Sequence, residues 1–168
     1  MIIWTSILHT AARAARRAVM AGCLLMVLTL AHPADAATGR VIKVLPQFLD
    51  LQGNHAISPS LYDRDAYQAK LRANPGERSG LRFSVQWKTK GQLLGTLKLR
   101  VQVRGVARGN FPKEMTFEKQ VAPGSWFSSW TPFVIDGDAY RDLGEVTSWR
   151  ATLWEDDRLI GEQKSCLW

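Results

Sequence analysis

The chain has 168 residues, with 22 Lys and Arg against 15 Asp and Glu (net +7), 46% apolar residues and 22% charged. That balance excludes intrinsic disorder, which needs low hydrophobicity and high charge, and the length suits a leader plus one domain. Two cysteines are too few for a disulfide scaffold, and three histidines leave little room for imidazole chemistry.

Residues 1–36 read as an export signal peptide. Arg13, Arg16 and Arg17 form a positive n-region, Ala18 to Ala31 (AVMAGCLLMVLTLA) is an apolar run, and Ala34-Asp35-Ala36 is a small-x-small cleavage pattern. The run is shorter than the about 20 residues that cross a bilayer, so cleavage after Ala36 is expected, with no stable membrane span afterwards; an uncleaved anchor is the alternative. Arg16-Arg17 also resembles a twin-arginine signal, without most of its flanking residues, so an ordinary Sec signal is the plainer reading. Cys23 lies inside the apolar run rather than after it, which argues against lipoprotein acylation. The expected product is a periplasmic or extracellular domain, 37–168. Losing the leader's three arginines and one aspartate leaves 19 basic and 14 acidic residues, net +5, with one histidine (His55) and one cysteine (Cys166).

Taken in chain order, Val41–Leu51 is a strand candidate in which Pro46 suggests an edge or a bulge. Ser60 can cap a helix over Leu61–Ala73, with Asp63 in its first turn and Asn74-Pro75-Gly76 as the stop. Leu81–Lys88 and Leu97–Arg104 alternate strictly between apolar and polar residues, the pattern of antiparallel strands with one wet face. Met115–Val121 and Thr131–Ile135 are weaker strands, and a short turn over Ala139–Leu143 is closed by Gly144. Val146–Trp154 and Leu159–Leu167 read as a hairpin. A turn centred on Asp156-Asp157 sets Glu155 opposite Arg158 and Leu153 opposite Ile160; a longer loop is the alternative, because Asp-Asp lacks the glycine of a type I′ turn. Seven strand candidates at regular spacing predict a mainly β fold, an antiparallel β-sandwich of about seven strands with one inserted helix.

Trp87 stands towards the end of an early alternating strand, and Asp142-Leu143-Gly144 precedes Trp149-Arg150-Ala151. In these features the later part of the chain resembles the immunoglobulin and fibronectin III superfold, whose domains often bury a Trp on an early strand and carry Asp-x-Gly and Tyr-x-Cys ahead of strand F. Here the spacing is longer, Trp replaces Tyr, Ala replaces Cys and the partner Cys is absent. The resemblance implies a fold and no function.

The chemistry is sparse. His55, in the polar stretch Gln52-Gly53-Asn54-His55, is the sole imidazole for a nucleophilic site, and no Gly-x-Ser-x-Gly elbow exists. One His and one Cys do not make a zinc site. Asp136-Gly137-Asp138 with Asp142 falls short of a calcium loop and reads instead as a cap for the short turn, so no metal or cofactor is expected. Asp63/Asp65 and Asp156/Asp157 are the close acid pairs that a carboxylate-based, glycan-active enzyme could use, and that enzyme is the alternative reading. Within Trp126-Phe127-Ser128-Ser129-Trp130, Trp126 and Phe127 are candidates to stack on a sugar ring or a partner. Cys166 reads as a small buried hydrophobe, or as half of an interchain disulfide. Trp168 could end an outer-membrane barrel, but Glu162 and Lys164 share its face where lipid would lie.

The wet faces carry the remaining signal. Arg82 and Lys88 on one strand, and Lys98, Arg100 and Arg104 on the next, would gather five cations on one surface if Lys90–Thr96 joined the strands as an antiparallel pair. The expectation is an exported, non-enzymatic binding or assembly module of the cell envelope. Its partner would be a protein or an acidic polysaccharide rather than nucleic acid, bound through Arg82, Lys88, Lys98, Arg100, Arg104, Trp126 and Phe127.

Overall fold

The computed structural model describes residues 37–107, 109–123 and 127–168. The leader and its cleavage site, at 1–36, and Trp126 lie outside them. Seven strands form: β1 (Thr38–Asp50), β2 (Arg78–Lys90), β3 (Leu97–Ala107), β4 (Phe111–Val121), β5 (Ser129–Asp136), β6 (Glu145–Glu155) and β7 (Arg158–Lys164). Helix α1 (Leu61–Ala73) lies between β1 and β2, and the short α2 (Gly137–Leu143) between β5 and β6. All pairings are antiparallel, in one sheet of order β1-β2-β5 and another of order β4-β3-β6-β7. The molecule is the mainly β sandwich that the alternation predicts.

The core forms because the two strictest alternating strands present dry faces to each other. Leu81, Phe83, Val85 and Trp87 of β2 join Val41, Val44, Phe133 and Ile135 in the first sheet, while Leu97, Leu99, Val101, Val103, Ala151 and Leu153 come from the second. Trp87 is 2% exposed, and its indole N–H donates to Thr131 Oγ1 at 2.9 Å, so the one polar atom of the ring is satisfied inside the core.

This packing overturns the expected pairing of β2 with β3. Set side by side in one sheet, the two strands would turn both apolar faces the same way and need a further layer to cover them. In different sheets they cover each other. The connection is held in that crossing by the β6–β7 turn. Glu155, 8% exposed, accepts from the backbone N–H of Leu94 at 2.9 Å and of Gly95 at 3.3 Å, and Thr96 exchanges hydrogen bonds with Asp156. Glu155 stands opposite Arg158, as expected, and pairs with it. A register shift then sets Leu153 opposite Gly161 rather than Ile160. The turn needs no glycine, because Asp156 itself takes a positive φ of 49°.

Helix α1 starts and stops where the sequence says. Ser60 accepts from the Asp63 N–H at 3.4 Å, and the Arg78 guanidinium closes the far end on the carbonyls of Leu71, at 2.6 Å, and Arg72. Leu71 alone of its residues is fully buried, so polar contacts strap the helix down. Gln68 accepts from the Phe48 N–H at 2.8 Å and donates to the Phe48 carbonyl at 3.0 Å, filling one ladder position on the outer edge of β1, and also donates to the His55 carbonyl. The buried Asp50 carboxylate accepts from the Tyr67 hydroxyl at 2.7 Å and from the N–H groups of Gln52 and Asn54. The Tyr67 hydrogen bond, the largest cause, helped by those to Asn54 and Gln52, holds the Asp50 carboxyl below its ordinary value of 3.8 against the opposing effect of burial.

A carboxylate with a depressed folded pKa stabilises in full above its unfolded value, and that contribution is lost as pH falls through the folded value. Asp50→Asn is therefore expected to be less stable than the parent at neutral pH, and the gap to close in acid below pH 3.8. Denaturant melts across that range check this; a gap independent of pH would place the stabilisation elsewhere.

Each sheet edge is blocked. Gln68 covers part of β1, Pro132 interrupts β5, and Pro112 stands in β4. Lys119 of β4 reaches inward to the Pro132 carbonyl at 2.5 Å and lies over the Phe133 ring. The start of β1 lies against β7, where Gly39 and Gly161 bring the two backbones together. Inward lysines and edge prolines discourage strand addition.

Cys166 is a correction. Strand β7 ends at Lys164, three residues short of the expected Leu167, and the thiol is exposed on the terminal turn rather than buried.

Candidate functional site

The expected five-cation surface does not assemble. Arg82 and Lys88 lie on the outer face of β1-β2-β5, and Lys98, Arg100 and Arg104 on the outer face of the opposite sheet. A period of two specifies which face of its own strand each residue takes, and the sheet switch turns those faces away from one another.

The second face is also compensated. Strand β4 sets Glu118 beside Lys98 and Arg100, at 3.5 and 2.5 Å, and Glu114 beside Arg104 at 2.8 Å. The Arg100 guanidinium beside Glu118, with Lys98 behind it, lowers that carboxyl's pKa. Arg150 of β6 pairs with Glu162 of β7 at 3.0 Å. Arg100 lies over the Trp154 ring and Arg104 over Trp168. These cations are spent on their neighbours, and a polyanion would have to displace carboxylates to reach them.

The first face differs. Antiparallel register sets Leu45, Ser84 and Pro132 in one row across the three strands, with Gln47, Arg82 and Val134 in the next. The segment after β1 folds back over this face, brought there by Asp50 and Gln68, and places His55 and Arg64 above the strands. The result is a pocket of about 300 Å³ lined by Leu45, Gln47, His55, Arg64, Arg82, Ser84, Trp130 and Pro132. Arg82 donates through Nε to Ser84 Oγ at 3.1 Å, and its Nη1 lies 3.3 Å from His55 Nδ1. Arg64 Nε is buried without a hydrogen-bond partner. Among the described residues, neither Arg64 nor Arg82 has a carboxylate within 4.0 Å.

Burial, then Arg82, then Arg64 push the His55 imidazole below its ordinary pKa. It is neutral at pH 7, and with Nδ1 facing the Arg82 donor its remaining proton sits on Nε2. Two permanent cations beside a neutral imidazole, with no carboxylate among the described lining residues, are suited to holding an anion.

Of the described residues expected from sequence, Arg82 alone lines this pocket. Lys88 is exposed further along the same face of β2, and Phe127 stands 80% exposed just before β5. Sequence reasoning passed over His55, Arg64, Gln47 and Trp130. The signal for Trp130 was present: Thr131, Phe133 and Ile135 set the dry side of β5, so Trp130 had to lie on the wet one, and it is 49% exposed. His55 and Arg64 carry no such signal, because the strapping that places them joins residues up to 20 positions apart.

One acid of each close pair, and Asp138, makes a local structural contact. Asp63 accepts from the Ser58 hydroxyl at 2.7 Å, Asp156 from the Thr96 N–H at 2.9 Å, and Asp138 pairs with Arg141. Asp136 occupies the N-cap position of α2 without a side-chain cap hydrogen bond. Among the described residues, no three His, Cys, Asp or Glu side chains converge as a metal site would require, and no helix is long and apolar enough to cross a membrane.

No family model matches the sequence, and a search of the curated proteins finds no significant match. Among solved structures, an immunoglobulin-like protein from Pseudomonas aeruginosa aligns at 12% identity over 79% of this chain and 97% of its own, with a TM-score of 0.34. By its own strand order, β1-β2-β5 packed on β4-β3-β6-β7, the chain is an immunoglobulin-like β-sandwich in which the fourth strand joins the third instead of the fifth.

Proposed function

We propose that this protein is an exported, non-enzymatic binding module of the cell envelope that takes an anionic polymer, foremost an acidic polysaccharide, on the outer face of the β1-β2-β5 sheet. One observation carries the reading: Arg64 and Arg82 converge on one pocket with no carboxylate among the described residues to offset them, whereas the cations of β3 on the opposite face are paired. Uncompensated cations in a concave site attract polyanions and speed their encounter. The blocked sheet edges favour a face-binding module over a subunit that assembles by strand addition. Export is supported by the arrangement of residues 1–36 as n-region, apolar run and Ala34-Asp35-Ala36.

The test is binding of acidic polysaccharides to protein purified from cells expressing the full chain. Affinity should fall as ionic strength rises from about 0.01 M to about 0.15 M, where the screening length shortens from roughly 30 to 8 Å. Arg64→Glu with Arg82→Glu should abolish binding at low salt, and Lys98→Glu with Arg100→Glu should leave it within about twofold, since exposed, paired charges contribute little. A double Arg64/Arg82 variant that binds like the parent overturns the site. Intact mass of the exported protein should correspond to a chain beginning at Ala37; retention of Met1 would overturn cleavage.

A further inference from the structure

We propose that the pocket between α1 and the first sheet takes one acidic sugar residue, its carboxylate between Arg64 and Arg82 and its ring against Trp130 and Pro132. The inference rests on the anionic-polymer reading above and names the ligand of that site.

Size is the first argument. About 300 Å³ stands at the bottom of the range in which ligand pockets fall, which suits one ring and not an extended oligosaccharide. Charge geometry is the second. A guanidinium fork matches a carboxylate through two parallel N–H donors. Arg82 uses Nε on Ser84 and Nη1 on His55, which leaves Nη2 without a partner among the described residues, and Arg64 Nε is without one there as well. Two guanidinium groups from different elements, each with a nitrogen not committed to a partner among the described residues, therefore line one pocket. The third argument is the division of the lining. Leu45, Trp130 and Pro132 are apolar and Gln47 and Ser84 polar, and the two polar groups hold each other only at 3.5 Å, so both keep capacity for hydroxyls. A pyranose has the same division: a C–H face that lies on an indole and an edge of hydroxyls. A ring-free polyanion such as polyphosphate would use the arginines and make no use of the tryptophan.

His55 supplies an independent readout. The charged groups facing it are Arg82 from β2 and Arg64 from α1; β1 and β5 contribute Leu45, Gln47, Trp130 and Pro132, which do not titrate. A carboxylate seated between the arginines offsets their field, so occupancy should raise the His55 pKa and binding should draw in protons.

The experiment measures affinity of the protein from full-chain expression for oligogalacturonate, for inorganic polyphosphate and for neutral dextran, in the parent and in Arg64→Gln, Arg82→Gln and Trp130→Leu. Imidazole resonances are followed by NMR, with His55→Gln as the assignment control. Oligogalacturonate should bind, and each arginine variant should weaken it tenfold or more. Trp130→Leu should weaken oligogalacturonate by a similar factor and leave polyphosphate, which has no ring, within about twofold, since stacking serves the ring and not the charge. The His55 pKa should rise on adding oligogalacturonate to the parent, a measurement that needs no variant to fold. Equal affinity for oligogalacturonate and polyphosphate, both indifferent to Trp130→Leu, overturns the acidic-sugar assignment and leaves the anionic-polymer reading standing. Failure of every anionic polymer to bind overturns both. An unchanged His55 pKa with bound oligogalacturonate places the sugar elsewhere on the molecule.

Discussion

Trp87→Ala is expected to cost the protein about 3–5 kcal/mol, the range for truncating a large aromatic in a core that cannot collapse around the space left. The side chain is 2% exposed and packs in the shared core of both sheets. Its loss also strands Thr131 Oγ1, which accepts the indole N–H at 2.9 Å. Against a total stability of roughly 5–15 kcal/mol for an ordinary domain, that leaves the sandwich marginal. Trp87→Phe should cost less, because it keeps much of the volume and forfeits chiefly the hydrogen bond. Urea or guanidinium melts decide the matter. A loss under about 1 kcal/mol for Trp87→Ala would show that this position does not hold the two sheets together.

Gly144→Ala should be of similar severity for a different reason. Gly144 ends α2 with φ 70° and ψ −144°, a backbone region that is nearly glycine's alone and costs other residues about 1–3 kcal/mol. A Cβ there would also stand 2.1 Å from the Val106 carbonyl oxygen and 2.7 Å from Ala107 Cα. Those are backbone atoms of β3, and they move only if the corner opens. Overpacking adds roughly 1–3 kcal/mol, for a sum of about 2–6 kcal/mol in two-state melts. Gly76→Ala is the matched control, since a Cβ at Gly76 meets nothing within 4 Å and its φ is not positive. Equal melting of the two variants would mean that the corner is soft and that β3 does not need the close approach.

The Asp-Leu-Gly run that resembles the corner before strand F in immunoglobulin-like domains thus has a local explanation in this chain. The short helix α2 makes the corner, Leu143 is buried, and Gly144 lets the chain pass close to β3. Trp149, standing where such domains carry Tyr, is half-buried, and its backbone N–H donates to Ser165 Oγ at 3.0 Å.

Local signals in this chain are strong wherever one residue and its near neighbours decide the outcome. Ser60 and the Asn74-Pro75-Gly76 stop specify α1 to the residue, since capping and chain-breaking act within a turn. Strict alternation in Leu81–Lys88 and Leu97–Arg104 specifies both strands and their dry faces, because side chains repeat every second residue. Glu155 and Arg158 face each other because two residues separate them. What alternation leaves open is which strand lies beside which. The crossing from β2 to β3 depends on Glu155 and Asp156 gripping the loop from some sixty positions away, and on two apolar faces that must cover each other. That single choice sent Lys98, Arg100 and Arg104 to the carboxylates of β4 and left Arg82 on the opposite side. The pocket itself is wholly tertiary. Its arginines come from a helix and a strand, its imidazole from a loop and its indole from β5, held together by the Gln68 and Asp50 hydrogen bonds. Charges and aromatic rings are visible along a sequence, but whether they meet depends on chain crossings that no run of neighbouring residues encodes.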